Sequence, residues 1–166
     1  QVRGALPALP RAGAAVDLSD AAAALTTVWH ERMPLTTALG VEIGALDGER
    51  LELLLPLAPN RNHKGTVFAG SLSALATLAG WSALWLVLRE AEEQAHVVIQ
   101  DARIHYKVPA RGDVVARVPL PTGAAREKWL AALRKKGRAR LGLEVEVVDL
   151  AGEVVATFEG RYVAHR

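Results

Sequence analysis

Five polar residues, Asn60, Asn62, His63, Lys64 and Thr66, fall within seven positions, and Phe68-Ala69-Gly70-Ser71 follows at once. No other part of the chain gathers groups capable of chemistry so closely. The loop leads into Gly65 to Leu88, a stretch without one charge between Lys64 and Arg89. Read as a helix from Gly70 on, that stretch sets its first turn against the polar loop. The first turn of a helix carries N–H groups without intrahelical partners and a partial positive charge, so it can stabilise an oxyanion or a polarised carbonyl. Gly70 gives a substrate carbonyl room to approach the backbone. The plainer alternative is structural, with Ser71 capping the helix and the asparagines turning the loop.

Ser73 and Thr77 stand one turn apart on one side of the same helix. The Thr77 hydroxyl can bond back to the preceding turn, as helical threonines commonly do, or hold a water near a bound carbonyl. Trp81, a turn further on, is either a substrate contact or core packing. The histidines (His30, His63, His96, His105, His165) are scattered without ligand spacing, so no metal is expected. With no cysteine there is no disulfide and no thiolate site. Nor is there a phosphate-cradling glycine loop of the nucleotide-binding kinds.

The element that must position these groups is the uncharged segment. From Gly70 it spans roughly five turns, about 28 Å at 1.5 Å per residue. Leucines and alanines fall on every face, and a helix apolar all round has to be surrounded by lipid or protein. Gly70, Gly80 and the hydroxyl residues, followed by strand-like alternation, favour a helix wrapped by the chain's own sheet and no membrane span.

Ahead of it, Ser19 or Asp20 can cap a helix with Leu25, Val28, Trp29 and Met33 at helical spacing, ended or bent by Pro34. Val41–Leu46 and Arg50–Pro56 flank Asp47-Gly48 as a hairpin. Behind it, Ala95–Val108 alternates, with Val98, Ala102, Ile104, Tyr106 and Val108 on one face and Asp101, Arg103, His105 and Lys107 on the other. Gln100 falls on the apolar face, where it must find a partner. Asp113–Pro119, a short basic helix over 124–136 and strands Arg140–Val148 and Glu153–Val163 complete the order. The expected class is α+β.

The totals agree with one domain: 166 residues, 51% hydrophobic, are enough for a sizeable core. A net charge of +2 is too balanced for a dedicated nucleic-acid binder. The absence of cysteine and of a signal peptide fits the cytoplasm. Residues 1–18 read as a Pro/Ala/Gly tail or linker and 19–166 as the domain. Gln in place of Met at position 1 leaves room for an upstream domain.

NRNHKGTVFAGSLSALATLAGW, followed by VIQDARIHYKVPARGDV, resembles the hotdog-fold thioesterases, most closely the C-terminal thioesterase-like domain of YiiD. The resemblance covers roughly residues 25–166. It implies a curved antiparallel sheet around a long helix, and edge-to-edge dimers with sites between subunits. The long strand around Gln100, Asp101 and Arg103 would then serve a neighbour's site. In better-characterised members an Asn is followed six residues later by His-Gly-Gly, with a carboxylate nine residues after that His. Asn62 matches the Asn, Phe68-Ala69-Gly70 takes the His-Gly-Gly place, and Thr77 stands at the carboxylate position. The helix therefore lacks the usual base or nucleophile. The amides at Ala69 or Gly70, the Asn62 amide and the Ser71 and Thr77 hydroxyls remain. A general base would come from His63, or second from Asp101 of a partner subunit.

The function this implies is hydrolysis of an acyl thioester on coenzyme A or an acyl carrier protein. The carbonyl would sit at the helix start and the acyl chain against Phe68 and the small helix residues. Coenzyme A enters only as part of the substrate, and no separate cofactor is expected. Arg103, Lys107 and Arg111, with Lys128 and Lys135 further on, could hold its phosphates or form a solvated face. The expected partner is a second copy, in a dimer or a dimer of dimers. The alternatives are a domain that binds acyl thioesters or dimerises without turnover, and an enoyl-thioester hydratase or dehydratase.

Overall fold

The computed structural model describes residues 18–166, so the tail assigned to residues 1–18 lies, but for Leu18, outside the described residues. Helix α1 runs Leu18–Arg32 and buries Leu25, Val28 and Trp29. It begins before both caps expected from the sequence, so Ser19 and Asp20 lie in its first turn. Asp20 instead accepts from Arg89 at 2.7 Å. After Pro34 a short helix α2, Leu35–Leu39, ends at Gly40 in the left-handed region (φ 69°), where glycine is favoured.

Strands β1 (Glu42–Leu46) and β2 (Arg50–Leu55) form the expected hairpin. Asp47 shapes it, accepting the amides of Glu49 and Arg50 at 2.8 Å each. Helix α3 then spans Ala69–Glu90, and 13 of its 22 residues are buried. The strands that surround it are β3 (His96–Tyr106), β4 (Val114–Pro119), β5 (Arg138–Asp149) and β6 (Val154–His165). Helix α4, Gly123–Lys136, connects β4 to β5 and buries Trp129, Leu130 and Leu133.

The six strands of the described residues form one antiparallel sheet in the order β1-β2-β4-β5-β6-β3. The sheet curls around α3, whose Leu75 and Leu84 are fully enclosed with Leu51, Leu53 and Phe158. Each such leucine contributes about 1.5–3 kcal/mol by burial, so the helix is stable without lipid because the sheet supplies its solvent. Two crossings fix its height. Trp29 donates to the Ser82 hydroxyl at 3.1 Å in the core. Tyr162 crosses at Gly80, where an added Cβ would overlap the phenol.

One alternation predicted from the sequence changes phase. A bulge between Ile99 and Asp101 shifts the register of β3 against β6. Val97 and Ile99 turn inward ahead of it, opposite Ala164 and Tyr162, and Val98 is left 47% exposed. Gln100 is therefore exposed and not inward. It finds its partner on the surface, accepting from Arg140 Nε at 3.2 Å.

Candidate active site

The loop ahead of α3 is held in shape by its own asparagines. Asn60 is buried, and its Nδ2 donates to the carbonyls of Leu39 and Pro56, both at 2.8 Å. Its backbone carbonyl accepts from the Phe68 amide at 2.7 Å. One residue thus ties α2, the end of β2 and the entry to α3. Asn62 closes the next turn: its Oδ1 accepts the amides of Lys64 (2.9 Å) and Thr66 (3.2 Å), and its Nδ2 donates to Thr66 Oγ1 (2.9 Å). An asparagine amide has two N–H donors, so one remains after Thr66 is served. His63 and Lys64 ride exposed on this turn.

Phe68 takes the N-cap position of α3 with an extended backbone and no side-chain acceptor, so Ser71, buried two turn positions inside, does not cap. The amides of Ala69 and Gly70 come before the first intrahelical bond. The exposed Phe68 ring lies over Gly70, and a Cβ there would overlap it. Tyr106 of β3 donates its hydroxyl to the Ala69 carbonyl at 3.2 Å. The Val67 amide donates to Ala110 O at 2.9 Å, which brings the segment carrying Lys107 and Arg111 alongside the helix start.

A groove of about 560 Å³ opens at Gly70 and follows one stripe of α3: Gly70, Ser73, Ala74, Thr77, Leu78 and Trp81. These positions share a face because they recur three and four apart. The α1–α2 junction, Met33 to Leu39, forms one wall, and Ile99 and Tyr162 form the other. Thr26 and Thr27 of α1 donate back to the carbonyls of Ala22 and Ala23 at 3.0 Å each. Thr77 makes no such bond among the described residues, and its side chain lines the groove. Its carbonyl instead accepts the Tyr162 hydroxyl at 2.9 Å, and burial pushes that phenol well above its ordinary pKa. The arrangement, amide donors at the helix start and a mostly apolar trough with the Ser73 and Thr77 hydroxyls on its α3 side, suits an amphiphile with a carbonyl head.

The family model described as "Putative thioesterase (yiiD_Cterm)" matches residues 22–166. The chain belongs to this family. Its sheet and central helix have the hotdog arrangement of the solved relatives. A Shewanella oneidensis protein of the same thioesterase description is 28% identical, with a TM-score of 0.81 over 89% of this chain and 99% of that one. A Chlorobaculum tepidum protein of unknown function is 25% identical, with a TM-score of 0.85 over 90% and 96%. A Pseudomonas aeruginosa protein described as a probable thioesterase is 25% identical, with a TM-score of 0.72 over 85% and 93%.

In this thioesterase-family chain the residues singled out from the sequence fall into two groups. Phe68, Ala69, Gly70 and Ser71 stand together at the start of α3, and Asn62 and His63 lie in the turn ahead of it. The Val67–Ala110 bond draws the backbone segment of Lys107 and Arg111 alongside, and Thr77 and Trp81 lie along the groove. Thr77 is about 10 Å of helix rise from Gly70, and Ser73 only about 4.5 Å. Gln100, Asp101 and Arg103 do not join them within one protomer. Asp101 pairs with Arg161 at 3.4 Å, Arg103 lies across from Glu159, and all three are exposed on the edge strand. Sequence reasoning missed Asn60 as the fastener, the Met33–Leu39 wall and Tyr162. Only Tyr162 had a signal: Gly80 inside an apolar helix marks a close approach.

Proposed function

We propose that this protein hydrolyses acyl thioesters at the mouth of the α3 groove, with coenzyme A or an acyl carrier protein as the carrier. The observation that carries the reading is the coincidence of the uncapped amides of Ala69 and Gly70 with the opening of an apolar trough. Water adds to the thioester carbon, charge builds on the oxygen facing those amides, and the C–S bond then breaks to release acid and thiol. Ser73 and Thr77 offer hydroxyls to orient water, Asn62 keeps one donor free, and His63 is the candidate base. Lys107 and Arg111, on the segment bonded to Val67 ahead of α3, would pair with the phosphates of an anionic carrier.

A second copy completes the proposal. Among the described residues the outer edge of β3 is unpaired, and Val98, Tyr106 and Phe68 beside it are 47%, 50% and 56% exposed. A β3-to-β3 pairing would cover them and bring the partner's strand, with its own copies of Asp101 and Arg103, toward this site.

One observation favours binding without turnover: no carboxylate, histidine or lysine lines the groove among the described residues. Thiol release from a panel of acyl-CoA and acyl-carrier substrates tests both readings. Hydrolysis reduced 10-fold or more by Asn62→Ala and by Gly70→Val supports the first, taking the usual worth of one oriented donor. Tight binding with no release supports the second, and release untouched by Asn62→Ala, His63→Ala and Thr77→Ala would remove the site.

A further inference from the structure

Resting on the reading of the groove as an acyl site, we infer that Trp81 sets the chain length this protein accepts, an acyl group of about ten carbons. The stripe from Gly70 to Trp81 rises about 16 Å along α3. An extended alkyl chain advances about 1.3 Å per carbon, the projection of a bond of about 1.5 Å. With the carbonyl at the Ala69 and Gly70 amides and van der Waals clearance at the indole, about ten carbons fit between. Gly70, Ser73, Ala74 and Thr77 keep the floor low over that distance, and Trp85, one turn beyond Trp81, no longer lines the groove.

Trp81 is a fixed wall and not a swinging one. Its indole N–H donates to Val97 O at 3.0 Å, anchoring the ring to β3. The ring stacks on Trp85 with centroids 6.4 Å apart at 19°. The Arg89 guanidinium sits 5.8 Å from the Trp85 ring centroid and is held by Asp20 of α1 at 2.7 Å. Moving the end wall therefore disturbs β3, α1 and α3 together. The opposite walls, from Met33 to Leu39 and at Ile99 and Tyr162, flank the occupant on both sides.

The test is binding of non-hydrolysable S-alkyl pantetheine thioethers, butyl through hexadecyl, to the full chain by calorimetry. Pantetheine is common to both carriers, so the readout is independent of which one is used. Affinity is expected to rise about fourfold per methylene until about decyl and then to stop rising. Trp81→Ala moves the break several carbons longer, whereas Ala74→Leu, on the half-buried floor, moves it shorter and keeps the test alive if Trp81→Ala fails to fold. Affinity indifferent to length, or an unmoved break in a folded variant, overturns the inference. A clear length series without thiol release from the matching thioesters would sink the hydrolysis reading and leave Trp81 in its role. Release with length-independent binding would do the reverse.

Discussion

Tyr162 both lines the groove and braces it from behind through its hydroxyl. Its hydroxyl is held by the Thr77 carbonyl, and Tyr162→Phe should cost about 1 kcal/mol in urea unfolding. The pH dependence has a definite sign. The unfolded phenol ionises near pH 10, but the buried one stays protonated well above that. The stabilising contribution is complete below pH 10 and falls as pH rises beyond it, so Tyr162→Phe should flatten the alkaline limb of a stability profile. Asn60→Ala tests the loop in the same way. It removes two buried bonds and frees the carbonyls of Leu39 and Pro56, for a loss of about 2 kcal/mol.

At the scale of elements, the packing of α3 against β6 turns on Gly80. Alanine is ordinarily worth about 1 kcal/mol more than glycine in a helix. Here its methyl would overlap the Tyr162 ring, so Gly80→Ala should instead destabilise by about 1–3 kcal/mol. A double variant with Tyr162→Phe should fall short of additivity, because the two residues share one contact. At the other end of α3, Glu93 receives Arg134 of α4 and Arg166 after β6, each at 2.6 Å. Burial alone would raise its carboxyl, but the two guanidinium hydrogen bonds outweigh that and hold it below the usual value. Its contribution is present above the ordinary carboxylate range and is lost as pH falls through it, below about pH 4. Glu93→Gln should reduce the acid-side slope in a thermal-melt series.

These elements also show what the sequence reveals. The α3 span, the Asp47 hairpin and the stop at Gly137 are legible because charge gaps, turn residues and glycine act within a few positions. The phase of β3 is not, since its bulge answers to β6 and not to its own alternation. The site divides along the same line. The polar loop and helix start are contiguous in the chain and stand out, whereas Tyr162 reaches Thr77 across 85 positions. The Met33–Leu39 wall carries ordinary residues, Thr36 among apolar ones, that only the tertiary packing turns toward the groove.

On the scale of the whole molecule, the β3 edge, unpaired among the described residues, makes the proposed dimer testable. Val98→Lys should leave the protomer folded, because the side chain points away from the core, and should lower the mass seen by light scattering. The place of β6 has a different consequence, for synthesis. It separates β5 from β3, so β3 leaves the ribosome well before the strand that joins it to the rest of the sheet. At roughly 5–20 residues per second, the nascent chain carries β3 without its sheet neighbour, and α3 only partly covered, for several seconds. A message cut short before Val154 should therefore yield insoluble product and not a smaller working domain. Chaperone demand during translation, more than the stability of the finished protein, should limit how much of it a cell can make.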